Sequence, residues 1–348
     1  MAAVLATVDA EALKAFARDA GLDAVGIAPA DAFTSTRHDL EARKAAGLSA
    51  GMQFTYRNPA ASTDPGRALP GAQAIVVGAV AYVPNGDAPP TGRGPLGRVA
   101  AYARDDHYAS LRSALNQVAA RLKEAGWRAR VLVDDNALVD REAARRAGLG
   151  WYGKSSNILL SGRGSWFVLG SVLTTAPLVP DDADVADGCG ACRRCLDACP
   201  TGAIIAPGIV DARRCLSWLL QQPGSFPIEH RAALGERIYG CDDCQEVCPP
   251  NRRTAASPKA TGASSWVPLL DMLSASDDEL LERHGAWYIA KRDPRWLRRN
   301  AIVALGNTAA AGDATTVAAL ERHRAGDDEV LAEHAAWALE RIEARGAR

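Results

Sequence analysis

The first regular pattern along the chain is helical. Over residues 9–20 apolar side chains recur at three- and four-residue steps, Asp9 stands at an N-cap position, and Gly21 follows as a C-cap glycine. Residues 22–27 and 74–83 are rich in Val, Ile and Ala without that spacing and run into proline-bearing turns, so each predicts a buried strand. The stretch between them, from Gly51-Met52-Gln53-Phe54 to Pro70-Gly71, carries prolines at 59, 65 and 70 and reads as a long loop. A loop of that length inside a domain is usually functional or covers a ligand. Next come an amphipathic helix over 106–125, a strand over 128–133, a helix over 138–147 ended by Gly148 and Gly150, and a strand over 165–174. Helices alternating with strands predict one α/β domain with a central sheet over residues 1–180. The acidic stretch Pro180-Asp181-Asp182-Ala183-Asp184 marks its end. A cysteine-bearing segment follows over 181–255. A C-terminal domain over 256–348 opens with a Ser/Pro/Ala linker, after which residues 264–348 are rich in Ala, Leu and Arg at helical spacing. Segments 296–307 and 330–344 read as related helices of a short HEAT-like repeat.

Composition narrows the class. The chain has 348 residues, 48% of them hydrophobic and 23% charged, enough for two or three domains with sizeable cores. The apolar run at 74–83 is interrupted by Gly78 and stopped by Pro84, well short of the roughly 20 residues that cross a bilayer. Residues 1–7 have no basic lead and meet Asp9 almost at once, unlike a secretory signal, so a cytoplasmic location is expected. Thiols stay reduced there, and a dense cysteine cluster then means metal ligation or redox chemistry. A net charge of -1 argues against a protein coated in positive charge for sequence-independent nucleic-acid binding. A local basic face is still present: Lys291-Arg292-Asp293-Pro294-Arg295-Trp296-Leu297-Arg298-Arg299. Arg295, Arg298 and Arg299 fall at i, i+3 and i+4, which puts three guanidinium groups on one helical face if the segment is a helix.

All eight cysteines lie between 189 and 248. Cys189-x2-Cys192-x2-Cys195-x3-Cys199-Pro200 is the bacterial ferredoxin run, and Cys241-x2-Cys244-x3-Cys248-Pro249 is a second run whose third ligand is displaced upstream to Cys215. In two-cluster modules the cysteine before the proline crosses to the other cluster. That assigns Cys189, Cys192, Cys195 and Cys248 to one 4Fe-4S cluster and Cys199, Cys215, Cys241 and Cys244 to the other. Structural zinc is the alternative, since it also favours paired Cys-x2-Cys knuckles. The fold class expected is therefore α+β and multidomain: an α/β domain with a central sheet, a ferredoxin-like module with two 4Fe-4S clusters, and a C-terminal HEAT-like helical domain.

Around the cysteines, Arg237-Ile238-Tyr239-Gly240-Cys241-Asp242-Asp243-Cys244-Gln245-Glu246-Val247-Cys248-Pro249 resembles the epoxyqueuosine reductase family. So do Val139-Asp140-Arg141 through Gly148-Leu149-Gly150-Trp151-Tyr152-Gly153-Lys154, Gly51-Met52, Asn58-Pro59, Asp64-Pro65, Leu69-Pro70-Gly71 and Gly164-Ser165-Trp166-Phe167. The matches run in order over essentially the whole chain. The resemblance implies a cobalamin-dependent iron-sulfur reductase that converts epoxyqueuosine to queuosine at the wobble position of tRNA with a GUN anticodon. It implies base-off cob(II)alamin with no protein histidine on cobalt. The chain agrees: Asp105-Asp106-His107-Tyr108-Ala109-Ser110 lacks the glycine of an Asp-x-His-x-x-Gly motif, so His107 reads as a pocket or surface residue.

Opening an epoxide and losing its oxygen requires two electrons and a proton donor. By position in the family motif the acid resembles Asp134, after the apolar run Val131-Leu132-Val133, where burial beside a corrin would raise its pKa. Without the resemblance Asp134 reads as a strand-end turn residue, and Asp135 as a turn or cap residue facing away. The resemblance carries corrin binding to Arg57, Tyr102, Asp134, Lys154, Ser155, Asn157, Ser217 and Asp242. With a tRNA substrate implied, the basic segment is expected to meet phosphates through Lys291, Arg292, Arg295, Arg298 and Arg299, a solvated charge run being the alternative. Tyr288 and Trp296 are aromatics that either stack on bases or belong to the core. A monomer served by an unidentified electron donor completes the expectation. Two other classes compete with it: a ferredoxin-type electron carrier, and a cobalamin reductase of the dehalogenase type acting on a small molecule.

Overall fold

The computed structural model describes residues 7–82, 88–92, 94–182, 185–254 and 264–347. Residues 1–6, Val83 and Pro84, Ala183 and Asp184, and the Ser/Pro/Ala linker at 255–263 lie outside them. Helix α1 (Ala10–Asp19) starts where Asp9 accepts the Ala12 N–H at 3.0 Å, and Gly21 leaves it in the left-handed region. Strand β1 (Ala24–Pro29) and helix α2 (Thr34–Ala45) follow. The long loop is not featureless. It holds two single-turn helices, α3 (Pro59–Ser62) and α4 (Pro65–Ala68), opened by the side chains of Asn58 and Asp64 with proline in the first turn. Then come β2 (Ala74–Ala81), β3 (Leu96–Val99), α5 (His107–Glu124), β4 (Ala129–Val133), α6 (Asp140–Arg146), the short pair β5 (Gly150–Tyr152) and β6 (Ile158–Leu160), and β7 (Phe167–Thr174).

The main sheet has the order β1-β2-β7-β4, with every neighbouring pair antiparallel. Strand β2 is central and apolar on both sides. Val76 joins Leu13, Leu111 and Leu115 from α1 and α5 on one face, while Ile75 and Val77 join Leu132, Leu138 and Ala143 toward α6 on the other. Gly78 and Gly170 pair across β2 and β7, and a Cβ on either would strike Leu22 or Leu115 at 2.7–2.8 Å. Small residues here let α1, α5 and the sheet close together. Asp181, from the acidic stretch, accepts both Lys14 Nζ and the Ile27 N–H and so ties the end of this unit to its beginning.

The cysteine segment contains α7 (Arg194–Asp197), β8 (Ile204–Ala206), β9 (Ile209–Val210), α8 (Leu216–Leu219), α9 (Ile228–Leu234), β10 (Arg237–Tyr239), α10 (Asp243–Glu246) and α11 (Pro249–Thr254). The C-terminal part adds β11 (Trp266–Pro268), α12 (Leu269–Ser274), α13 (Asp277–His284), α14 (Arg295–Thr308), α15 (Ala314–Arg324) and α16 (Glu329–Gly346). The two segments read as related helices are α14 and α16, which cross where Gly306 admits Trp337 and Ala338.

The three sequence segments interlock. A second sheet, ordered β10-β3-β11, takes one strand from each of them, β3 pairing parallel to β10 and antiparallel to β11. Farther along, Arg299 of α14 is fully buried. Its guanidinium donates to the carbonyls of Leu219, Gln222 and Gly224 at 2.7–3.0 Å and to Asn300 Oδ1 at 2.7 Å. Asn300 donates in turn to the Leu220 and Ile238 carbonyls. Burial, helped by Arg231, pushes the Arg299 pKa down to about 9. Carbonyl dipoles replace water around this cation, and the segment that follows Cys215 is fixed to α14.

Arg299→Met should therefore lower stability by about 2–4 kcal/mol, because several buried carbonyls lose their donor. Urea unfolding measures this, with exposed Lys291→Ala as the unaffected control. An Arg299→Met variant as stable as the parent would refute the assignment.

Candidate active site

Short loops and single-turn helices carry the cysteines. Cys195 lies in α7, Cys244 in α10, and Cys215 caps α8. Their mutual influence shows which thiols are neighbours. Burial raises the Cys248 thiol to about 11, and Cys189, Cys195 and Cys192 add to the rise. Cys241 is pushed up to about 12 by burial first, with Cys215 contributing, and Cys215 is raised by burial and by Cys199. Cys244 feels Cys241 and Cys215. Cys248 thus feels the first run and Cys215 feels Cys199, while Cys244 feels Cys195 of the first run as well. Cys199 Sγ also accepts the Ala203 N–H at 3.2 Å, the kind of donor that stabilises an iron-bound thiolate.

The candidate acid stands at the end of β4. Asp134 has φ 51, a left-handed conformation that few residues other than glycine adopt and that Asp tolerates better than most. The turn beyond it is held by Asp135, whose carboxylate accepts the Ala137 N–H at 2.8 Å, so Asp135 is a turn residue as expected. Desolvation by the surrounding protein raises the Asp134 pKa, Asp135 adds to the rise, and the Arg112 guanidinium opposes it. Three further groups surround this carboxyl. Asp140, at the start of α6, is raised well above the usual carboxylate range by burial and then by Asp134. The Tyr108 and Tyr239 phenols are raised by burial and also feel Asp134.

The long loop is tied to the turn after Asp134. Thr55 N–H donates to Asn136 Oδ1 at 3.2 Å, and Ser62 Oγ donates to the Asn136 carbonyl at 2.6 Å. Arg57 lies on this loop with an exposed side chain. On the cluster side the same segment is tied by Trp218 Nε1 to the Ala50 carbonyl.

The remaining corrin candidates divide into groups. Tyr102 is hydrogen-bonded to Ser217 and accepts from Gln221 Nε2 at 3.3 Å. Beside it, Asp242 Oδ2 accepts the Ala101 N–H at 2.6 Å, while the buried Asp242 Oδ1 has no partner. Burial raises this carboxyl to about 6. Asn157 reaches Ser155 Oγ and Cys244 Sγ. Lys154 stands apart, its ammonium donating to the carbonyls of Gly190 and Cys192 at 2.5 and 3.0 Å. It braces the first cysteine loop instead of joining Tyr102, Ser217 and Asp242. An orphaned carboxylate oxygen, two hydroxyls and an amide beside the second thiol quartet suit the amide-rich rim of a corrin. His107 is buried and stacked on Tyr82 at 5.0 Å, a pocket-wall residue.

Comparison with known proteins decides the family. Residues 188–251 match the 4Fe-4S double cluster binding domain, and residues 63–135 match the family model described as epoxyqueuosine reductase QueG, DUF1730. The chain is 35% identical to the epoxyqueuosine reductase of Staphylococcus aureus, over 84% of this chain and 78% of that protein. It is 36% identical to that of Xanthomonas campestris, over 90% and 92%. The chain belongs to the epoxyqueuosine reductase family.

Solved epoxyqueuosine reductases share the whole fold. One holding a tRNA-Tyr epoxyqueuosine-modified stem loop superposes with a TM-score of 0.85 at 33% identity, over 95% of this chain and 89% of that one. One from Bacillus subtilis, described with its catalytic aspartate loop swung out of the active site, gives 0.84 at 32% identity over 95% and 90%. The match over 188–251 gives this member of the family a double 4Fe-4S cluster domain and disposes of the zinc alternative.

Two expectations for the basic segment fail. Arg299 is buried in the protein interior and cannot meet a phosphate, and Arg295, Arg298 and Arg299 do not share an exposed face. Arg298 is mostly covered and donates to Asp277 and the Ala275 carbonyl, while Arg295 pairs with Asp293. The cause is that α14 is covered on several sides, by α12, α16 and the 219–224 turn, so helical spacing does not identify its wet face. Trp296 belongs to the core. Of the five basic residues, Lys291 and Arg292 are the exposed ones. Conversely, sequence reading missed Asp140, Tyr108 and Tyr239 as neighbours of Asp134. Asp140 stood in a family motif without a role, and the phenols come from distant parts of the chain.

The crossed ligands generate a test. Cys248→Ser should remove the cluster built on Cys189, Cys192 and Cys195 and halve the iron from about eight to about four per chain, leaving the other cluster's spectrum. Loss confined to the cluster of Cys241 and Cys244 would mean that the ligands follow chain order.

Proposed function

We propose that this chain reduces epoxyqueuosine to queuosine in tRNA and that Asp134 is its general acid. The observation that carries the assignment is the placement of Asp134: a carboxyl of raised pKa, displayed by a left-handed turn at a strand end, within electrostatic reach of the half-buried Tyr108 phenol and the buried Tyr239 phenol, the latter carried by the cysteine module. The likeness to a reductase holding an epoxyqueuosine-modified stem loop supports the substrate. The net reaction breaks both epoxide C–O bonds, forms a C=C bond and releases the oxygen as water, consuming two electrons and two protons. Bound cobalamin supplies a strong reductant, and the two clusters supply single electrons to it.

The protein's own residues do the rest. Asp134 holds a proton for the epoxide oxygen as negative charge develops there. Desolvation first, and then Asp135 by like-charge repulsion, favour its protonated form, while Arg112 limits the shift. Tyr102, Ser155, Asn157, Ser217 and Asp242 would hold the corrin, with the unpartnered Asp242 Oδ1 able to accept a hydrogen bond from it. Arg57, exposed on the long loop, would contact it from that side, and Lys154 acts one step back by fixing the first cysteine loop. Lys291 and Arg292, the exposed members of the basic segment, meet tRNA phosphates. The working enzyme is a cytoplasmic monomer of three functional segments, 1–180 for cobalamin and catalysis, 181–255 for the clusters and 256–348 for tRNA, fed by a separate electron donor.

Asp134→Asn should keep iron content, cobalamin binding and stem-loop affinity while lowering turnover by about 10²–10⁴-fold. The active form is the protonated one, so parent turnover should fall as pH rises through the raised pKa of Asp134. Nucleoside analysis of reacted stem loop measures both. An Asp134→Asn variant with full turnover would remove Asp134 from the mechanism.

A further inference from the structure

Tyr288 is a large aromatic side chain left 57% exposed, between two buried neighbours, Trp287 and Ile289. Its backbone is not loose. Tyr239 Oη accepts the Tyr288 N–H at 2.8 Å and donates to the Tyr288 carbonyl at 3.3 Å, so both polar groups of the residue are held by one phenol. Tyr239 is stacked on Trp287 at 4.5 Å, and Trp287 on His284 at 4.3 Å. Trp287 Nε1 donates to the Ala103 carbonyl at 2.8 Å, next to Tyr102. Tyr239 also feels the charge of Asp134. The backbone that carries the exposed ring is therefore held by an aromatic stack whose inner member, Tyr239, lies within electrostatic reach of Asp134.

The same loop presents charge. Lys291 and Arg292 follow three and four residues later, both exposed and both at φ 57, a strained conformation for side-chain-bearing residues. Arg292 closes the loop by donating to the Gly285 carbonyl at 2.7 Å. A rigid, outward aromatic flanked by two exposed cations is the combination that binds single-stranded nucleic acid, since every base has a face to stack and every nucleotide a phosphate.

We propose that Tyr288 is a stacking platform for the anticodon-loop base beside the reacting nucleotide, with Lys291 and Arg292 on the adjoining phosphates. This rests on the tRNA reading above. A nucleotide drawn toward Asp134 leaves its neighbour without a stacking partner, and Tyr288 supplies one at the rim. Tyr288 is a positioning residue and does not touch the reacting atoms.

The experiment uses the cluster-loaded, cobalamin-bound protein and an anticodon stem loop carrying 2-aminopurine next to the wobble position. Parent protein should quench the probe on binding. Tyr288→Ala should abolish the quenching and weaken binding about 5- to 150-fold, the loss of one base stacked on an aromatic ring. It should raise KM with little change in kcat and leave the salt dependence of binding intact. Tyr288→Phe and Tyr288→Trp should restore quenching and affinity, whereas Lys291→Ala should keep quenching and flatten the salt slope by about one. Parent-like affinity and quenching in Tyr288→Ala, or failure of Tyr288→Phe to restore them, overturns the platform while leaving the function intact. Failure of the parent protein to bind or convert an epoxyqueuosine stem loop overturns the tRNA reading, and the platform with it.

Discussion

The architecture depends on the pairing of a four-residue strand, β3, between β10 and β11. β3 packs so closely that a Cβ on Gly97 would lie 2.6 Å from Leu269 Cδ2 and 3.0 Å from Ile238 Cβ. Its exit leads directly into Ala100, Ala101 and Tyr102, and the exit of β10 leads into Gly240, Cys241 and Asp242. Because Tyr239 pairs with Val99, the two exits emerge side by side, and Asp242 reaches the Ala101 N–H. The meeting of the cysteine module and the α/β domain is thus set by backbone register. Gly240 belongs to the same constraint, at φ 71 with Tyr102 and Ala100 where its Cβ would be. The Arg98–Glu246 ion pair closes the edge of this junction.

Burial acts in two directions across that junction. On the cysteine side it raises every thiol with a resolved shift, Cys195, Cys215, Cys241, Cys244 and Cys248, so the protein alone disfavours the thiolates that ligate iron. Iron charge must offset that penalty, which couples cluster assembly to folding of the module. On the α/β side the same desolvation favours a neutral Asp134, the form a general acid needs. The carboxyl and the thiols are therefore shifted by one physical effect acting on two kinds of group.

Much of this was legible in the sequence, and the exceptions share a cause. The period of apolar residues marks the helices and strands of the first 180 residues, because the main sheet is covered on both sides and its helices are amphipathic. The cysteine spacing marks the module, which the double cluster domain matches over 188–251. What could not be read is contact between distant residues: β3 joining three segments, Lys154 bracing the loop of Cys192, and Asp140 beside Asp134. The error at Arg299 has the same origin. Three arginines at helical spacing imply a basic face only if that face meets water, and here the turn after α8 covers it.

Backbone strain carries the last part of the picture. Among the described residues, those other than glycine with positive φ are Ala50, Thr55, Asp134, Ser156, Lys291 and Arg292. Each is anchored by, or adjoins, a contact from another element: the Ala50 carbonyl accepts Trp218, Thr55 N–H reaches Asn136, Ser156 Oγ reaches the Gly208 carbonyl, and Arg292 reaches the Gly285 carbonyl. Such conformations persist only where surrounding structure over-determines them. Their distribution follows the covering loop, the acid, the residues next to Asn157 and the exposed basic turn, and leaves the main sheet free of them. The protein therefore concentrates its unfavourable backbone at the segments that must present a side chain outward, and it holds them there with contacts drawn from the rigid structure around them.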